Sequence, residues 1–417
     1  MSFPRYPKYK DSGVEWLGEV PEHWSIQPFF TQFHEQCHQN SNLKETNLLS
    51  LSYGKVVRRD INSLDGLLPA SFETYQIVTP NFIVFRLTDL QNDQRSLRTA
   101  LVTETGIITS AYLAVNCPMA NPQYANYYFR ATDSWKVFYS MGGGLRQSMK
   151  YSDLKWLPIL TPPLDEQTRI AEFLDRETGR MDALIEEQKR LIELLKEKRQ
   201  ALISHVVTKG LNPDAPMKDS GVEWLGQVPK HWEVKPLKWT VRLITDKCES
   251  DFAEKKQVGL ENIEGWTGSY IHTPSEFAGD GIAFEKGDIL FGKLRPYLAK
   301  VFCADEKGTA IGDFFVIRPS AVEASYLQRV LLRSEMIDWL NSSTIGAKMP
   351  RVNWDFMGAS MIPVPPISEQ VEIANNLTNA IACFTKLSSE AEKAIALMQE
   401  RRSTLISAAV TGKIMVV

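Results

Sequence analysis

Apolar residues recur every seven positions in two long stretches of the chain. In the first, Leu174, Met181, Gln188, Leu195 and Leu202 form one row, and Leu184, Leu191 and Lys198 form a second row offset by three. The other stretch repeats the plan with Leu377, Phe384, Ala391, Met398 and Leu405, accompanied by Leu387, Ala394 and Arg401. Two rows at heptad spacing predict helices with a packing seam, here Leu174, Met181, Leu184, Leu191, Leu195 and Leu202 on one helix and Leu377, Phe384, Leu387, Met398 and Leu405 on the other. Each stretch follows a Pro-Pro pair, which breaks the structure before it. Asp165 and Ser368 can cap helices that start near Glu166 and Glu369. From there to Gly210 the first stretch holds no proline and only Gly179. The two helices could each serve the core of a globular domain, or they could pack on each other. Their length favours pairing, because roughly 40 residues at about 1.5 Å each give about 60 Å, more than a small domain needs. Within a single chain, helices separated by a globular domain most naturally pair antiparallel.

The stretches ahead of the helices read differently. Residues 25–160 and 233–364 hold short apolar runs punctuated by Gly, Pro, Asn and Asp. NFIVFRL (Asn81 to Leu87) and GDILFGKL (Gly287 to Leu294) have the character of strands. The segments Asn121 to Met141 and Ser325 to Asn341 have the character of helices. Each middle is therefore expected to be a compact α+β domain. The boundaries that follow are 1–161 and 211–364 for the two domains, with 162–210 and 365–417 for the two helical segments.

These four segments are two copies of one plan. KDSGVEWLGEVPEHW (Lys10 to Trp24) returns as KDSGVEWLGQVPKHW (Lys218 to Trp232), with thirteen of fifteen positions identical at an offset of 208. PPLDEQTRIAEFL returns as PPISEQVEIANNL, and RQALISHVVTKG as RSTLISAAVTGK, both at an offset of 203. A period this long is a duplicated domain rather than a solenoid, whose repeats run to roughly 20–50 residues. The middles align poorly. A constant frame encloses two different interiors, and the fold class expected is α+β with a pseudo-two-fold internal duplication.

Composition narrows the class. The chain has 417 residues, 43% of them hydrophobic, which is ordinary for globular protein. No apolar run is long enough to span a bilayer, and the N-terminal MSFPRYPKYKDSG has no apolar stretch of a signal peptide. The five cysteines are scattered, with no CxxC pair, so neither a disulfide framework nor a metal site is expected. Reduced thiols fit a cytoplasmic protein. The net charge of −3 does not announce a nucleic-acid binder, but a local basic face matters more than the total.

Such faces occur at equivalent places in both halves. After the helix-like segments come GGGLRQSMK (Gly142 to Lys150) and IGAKMPRVN (Ile345 to Asn353). Glycines admit close approach of backbone to a ligand. Arg and Lys contact phosphates or guanine edges, and Gln or Asn can read adenine. After the strands come further polar groups. The candidate contacts are Arg86, Gln91, Asn92, Arg95, Arg98, Gly143, Arg146, Gln147 and Lys150 in the first half, with Lys293, Arg295, Tyr297, Lys348 and Arg351 in the second. Any one of them could equally be a solvated surface charge. Trp16, Trp24, Trp224 and Trp232 lie in the near-identical block, so anchoring each segment to its own domain suits them better than reading two different ligands. No GxxxxGK[ST] phosphate loop and no HExxH motif occurs. Asn121-Pro122-Gln123-Tyr124 is similar to an adenine-methyltransferase element but lacks its second proline, and no glycine-rich turn for a methyl donor precedes it. No catalytic residue and no metal ligand is expected.

Taken together, GVEWLGxVPxHW, the PPLDEQ and PPISEQ junctions, the LISHVVTKG and LISAAVTGK helix ends, and FGKLRPYLAKV (Phe291 to Val301) resemble the specificity subunit (HsdS) of Type I restriction-modification systems across the whole chain. The resemblance implies two target-recognition domains, each reading one half of a bipartite, asymmetric site in double-stranded DNA. It implies that the two helices form a coiled-coil spacer that docks two modification (methyltransferase) subunits, joined by restriction subunits carrying translocase and nuclease. S-adenosylmethionine, ATP and Mg2+ would then sit on those partners, with no cofactor in this chain and no membrane involved. Two rival readings are a methyltransferase fused to its own recognition domain, for which the duplicated plan leaves no room, and a two-armed coiled-coil adaptor that binds proteins only.

Overall fold

Pro163 and Pro366 immediately precede the two longest helices of the computed structural model, which describes residues 3–61, 71–90, 97–141, 148–248, 256–273, 281–344 and 349–416. The helices span Leu164–Lys209 and Ile367–Val410, 46 and 44 residues. They begin two residues earlier than the capping pattern predicts. A proline lacks only an N–H that the first turn would leave unpaired, so the helix can start directly behind it. Asp165 consequently lies inside the first turn.

The chain divides into two compact units, one of Met1–Gln188 with Lys393–Val417 and the other of Lys189–Glu392. Unit 1 contains strands β1 (Ser25–Pro28), β2 (His34–Glu35), β3 (Ile83–Phe85), β4 (Thr99–Leu101) and β5 (Leu113–Asn116), helices α1 (Pro122–Ser134) and α2 (Tyr151–Leu154), strand β6 (Pro158–Thr161) and the start of helix α3 (Leu164–Lys209). Unit 2 contains the end of α3, strands β7 (Glu233–Pro236), β8 (Val241–Ile244), β9 (Ile289–Gly292), β10 (Val301–Cys303) and β11 (Phe314–Pro319), helices α4 (Ala324–Leu331) and α5 (Trp354–Ala359), strand β12 (Met361–Val364) and the start of α6 (Ile367–Val410).

The poorly matching middles have the same topology. In unit 1 the main sheet runs β4-β3-β5-β2, and in unit 2 it runs β10-β9-β11-β8. Register agrees as well: Phe85 faces Leu113 as Phe291 faces Phe315. A second sheet accompanies each, of three strands in unit 1 and four in unit 2, and a two-stranded pair, β1 with β6 or β7 with β12, leads into the long helix. The expected strands and helices are present, although each helix-like segment is interrupted, the first at Lys136 (φ 62) and the second around Arg333.

Each unit buries one end of both long helices. The core of unit 1 joins Trp24, Phe29, Phe85 and Phe129 to Ile170 and Leu174 of α3 and to Leu405, Ile406, Ala409 and Val410 of α6. That of unit 2 joins Trp232, Phe291 and Leu331 to Ile203, Val206 and Val207 of α3 and to Ile373, Ala374 and Leu377 of α6. Within each unit the beginning of one helix shares a core with the end of the other.

The repeated motifs are the joints of this frame. Glu166 accepts hydrogen bonds from Trp24 Nε1 (3.0 Å) and Tyr6 Oη (2.9 Å), and lies 2.7 Å from His23 Nε2. Glu369 repeats this with Trp232 Nε1 (3.0 Å) and His231 Nε2 (2.8 Å). The next residue, Gln167, accepts from the Asn121 N–H (2.9 Å) and donates to the Pro162 carbonyl (2.9 Å). Gln370 likewise accepts from the Glu323 N–H and donates to the Pro365 carbonyl, both at 2.7 Å. Gly210 and Gly412 follow the helix ends with left-handed φ of 74° and 70° and lie against Trp232 and Trp24, where a Cβ would come within 3.2 and 3.1 Å of the indole. Only glycine suits both demands. The two tryptophans are fully buried, as anchors should be.

Candidate nucleic-acid interface

The two basic segments expected in each half are adjacent in the structure. In unit 1 the N–H of Met149, beside Lys150, donates to the carbonyl of Leu87, beside Arg86 (2.9 Å). In unit 2 the N–H of Val352, beside Arg351, donates to the carbonyl of Lys293 (3.0 Å). An isolated bridge joins Leu294 to Arg351, and the Arg295 N–H donates to Pro350 (2.8 Å). The same cross-connection therefore brings together the segment after the second sheet strand and the segment before the short helix.

In unit 2, Arg295 has a left-handed backbone (φ 51) that opens the turn Pro296–Leu298, and Arg295 and Tyr297 are exposed. Arg351 donates to Asp313 Oδ2 at 2.8 Å, and Lys293 Nζ lies 3.7 Å from Asp313 Oδ1. One carboxylate thus orients two cations without neutralising both. Lys300, in the same sequence run, is a strut instead, with Nζ donating to the carbonyls of Leu260 (2.6 Å) and Ile263 (2.9 Å). In unit 1, Lys150 is exposed at the start of α2, where its N–H donates to Asp153 Oδ2 (2.7 Å). Arg86 is half-buried.

Arg98 does not belong with these residues. It is 0% exposed, and its guanidinium donates to the carbonyls of Thr88 (2.9 Å) and Asp89 (3.3 Å). A buried guanidinium needs such partners, and holding this turn leaves it no access to a ligand. Gln91, Asn92, Arg95, Gly143, Arg146, Gln147 and Lys348 lie outside the described residues. The NPQY element is a helix cap: Asn121 Oδ1 accepts from the Tyr124 N–H (3.1 Å), and Tyr124 is buried.

Sequence reasoning passed over two exposed Lys-Trp pairs. Lys155 Nζ stands 5.5 Å from the Phe30 ring and 5.7 Å from Trp156, which is itself 69% exposed. In unit 2, Trp239 follows Lys238 and is 68% exposed. The recurrence of a Lys-Trp dipeptide was the available signal. Among the described residues no group of three or more His, Cys, Asp or Glu side chains could hold a metal ion, and no helix is long and apolar enough to cross a membrane.

Likeness to known proteins points in one direction. Residues 236–396 match the family model described as the Type I restriction modification DNA specificity domain. Over 290 residues the chain is 23% identical to the Type I restriction enzyme EcoDI specificity subunit of Escherichia coli, a match covering 64% of each chain. The chain thus spans just under two thirds of that relative's length. A chain solved in work on complex assembly and conformational transition of the type I R-M system superposes with a TM-score of 0.69 at 15% identity, covering 94% of this chain and 98% of that one. The crystal structure of the HsdS subunit from Thermoanaerobacter tengcongensis superposes with a TM-score of 0.54 at 14% identity, covering 95% and 98%. At such identities the structural likenesses establish the fold.

Proposed function

We propose that the chain is a specificity subunit of the Type I restriction-modification kind, a reading supported by the proteins it is similar to, and that it selects the DNA sequence on which a multisubunit methyltransferase and endonuclease acts. Residues 1–161 and 211–364 are the two readers, each taking one half of a bipartite, asymmetric site. The helical segments 162–210 and 365–417 set the number of unread base pairs between the halves and dock two modification subunits, with restriction subunits joining them. The chain itself is non-catalytic and works in the cytoplasm. S-adenosylmethionine, ATP and Mg2+ belong to the partners. Lys150, Lys293, Arg295, Tyr297 and Arg351 are the described residues best placed to touch DNA, and Arg86 supports them from a half-buried position.

One observation carries this reading. The two middles have the same strand order and register, yet the side chains beside the shared cross-connection differ, with Lys150 and Tyr151 in one unit and Asn353 and Trp354 in the other. A frame held constant around two unlike surfaces is what reading two unlike half-sites requires. Because phosphate contacts supply much of the affinity of such complexes, partner subunits that share them allow a chain of near-neutral charge. The test is selection from a randomised duplex pool by the chain assembled with its modification subunits. Two short enriched blocks at one fixed separation are expected. A pool left without any enriched sequence overturns the reading in favour of a protein-only adaptor.

A further inference from the structure

Each unit has an open notch beside the cross-connection, at an equivalent place. In unit 1 it encloses about 900 Å³ between the residues before and in β5, the short strand β2 and helix α2. In unit 2 it encloses about 420 Å³ between the start of β11, Lys293 and the chain from Arg351 to Trp354. Leu113 and Phe315 occupy the same register position opposite Phe85 and Phe291, and both line their notch. Met149 and Val352 make the same backbone hydrogen bond, and both line it too.

The lining combines cations with rings in both units, using different residues. In unit 1 the exposed Lys150, Lys155 and His34 surround it, with Lys155 over the Phe30 ring. In unit 2, Lys293 stands 5.8 Å from the Phe315 ring, which packs against Trp354 at 5.5 Å, and Arg351 and Asn353 complete the rim. Each notch also meets one carboxylate. Glu35 lines the first, and Asp313 holds Lys293 and Arg351 beside the second. Burial, with a smaller contribution from Glu35, raises the Tyr151 hydroxyl above its ordinary range, so it stays a neutral hydrogen-bonding group. The notch and its backbone connection recur at one register position in two middles that match poorly in sequence, while the charges on it do not, Lys150 standing where Asn353 does and Lys293 where Leu87 does. A shared position with unlike chemistry suits a reader of two unlike half-sites.

We propose that this pair of notches is where each unit seats its half of the DNA duplex. Lys150 and Lys155 in unit 1, and Lys293 and Arg351 in unit 2, take phosphates or guanine edges. Asn353 and Glu35 face base edges, where an amide matches adenine and a carboxylate matches the cytosine amino group. The assignment rests on the DNA-recognition reading above and goes further by naming the surface.

The test uses the full chain assembled with its modification subunits. The probes are the duplex it selects and copies of that duplex substituted at each position. Two double variants are compared, Lys150→Ala with Lys155→Ala, and Lys293→Ala with Arg351→Ala. Each is expected to weaken binding about tenfold or more and to lower the salt slope by about one to two, with base discrimination lost only in the half-site of its own unit. Lys150→Arg with Lys155→Arg should retain affinity, which separates a charge effect from misfolding. If the wild-type complex is sequence-selective and both alanine pairs keep its affinity, slope and half-site profile, the notches are not the DNA seat. If the alanine pairs lose subunit assembly while the DNA affinity of assembled complex is unchanged, the notches belong to a protein partner and the proposal falls. A wild-type complex with no sequence preference would instead refute the recognition reading itself.

Discussion

Glu166 and Glu369 explain why the chain repeats its most recognisable words. Each carboxylate holds a buried tryptophan N–H and a histidine from the opening block, so the VPxHW and PPxxEQ motifs are two sides of one joint. Under the proposed function the joint has no part in distinguishing DNA sequences, which would let both copies be nearly identical. Removing the acceptor leaves the Trp24 N–H buried without a partner, a loss of about 1–3 kcal/mol for a bond to a charged group. Glu166→Ala is therefore expected to lower stability by about 2–3 kcal/mol in urea titrations of the chain. Glu172→Ala, at an exposed position on the same helix, should stay within about 0.5 kcal/mol. Equal effects would mean that the joint carries no stability. At this scale the sequence was only partly legible. The tryptophan anchors followed from their repetition, whereas the Arg98 strut looked like one more surface cation, because nothing local reveals that its turn folds over it.

At the scale of single elements, the long helices show where pattern reading succeeds and where it slips by a residue. In the first row Leu174, Met181, Leu195, Leu377 and Leu405 are buried, and Leu202, Phe384 and Met398 are half-buried. The second row lies one residue later than expected. Leu184, Leu191 and Leu387 are 48, 41 and 48% exposed, while Ile185 and Ile192 are buried, and Thr178 continues their row. Leucine and isoleucine are adjacent at 184–185 and at 191–192, so hydrophobicity alone could not choose between spacings of three and four. Packing chose the isoleucines. The ion pair of Arg402 Nε with Asp182 Oδ1 (2.9 Å) lies beside the same seam in unit 1. Ile192→Ala should cost about 2–4 kcal/mol, and Leu191→Ala about 1 kcal/mol or less. Thermal melts that rank the two in the opposite order would restore the register expected from the sequence. The strands and short helices of the middles were legible because their apolar runs are short and well punctuated. Their common topology was not, because it resides in pairing between distant segments rather than in residue identity.

At the scale of the whole molecule, the proposed function requires a constant frame around two exchangeable readers. Unit 1 is completed by the end of α6 and unit 2 by the end of α3, so each unit's core contains the same five parts: an opening block, a middle, a two-stranded pair, one helix start and one helix end. The joint is made between frame residues at Trp24, Glu166 and Gly412 or their counterparts, and Gln167 and Gln370 reach the middles only through the backbone N–H groups of Asn121 and Glu323, so a different middle with the same backbone can be accommodated. The most direct measurement of this central claim is methylation-site mapping for two assembled complexes, one with the natural chain and one in which residues 25–160 are replaced by the corresponding segment of another specificity subunit. The account predicts that one half-site changes, while the other half-site and the separation between them are unchanged. A change in both half-sites, or in the separation, would contradict it.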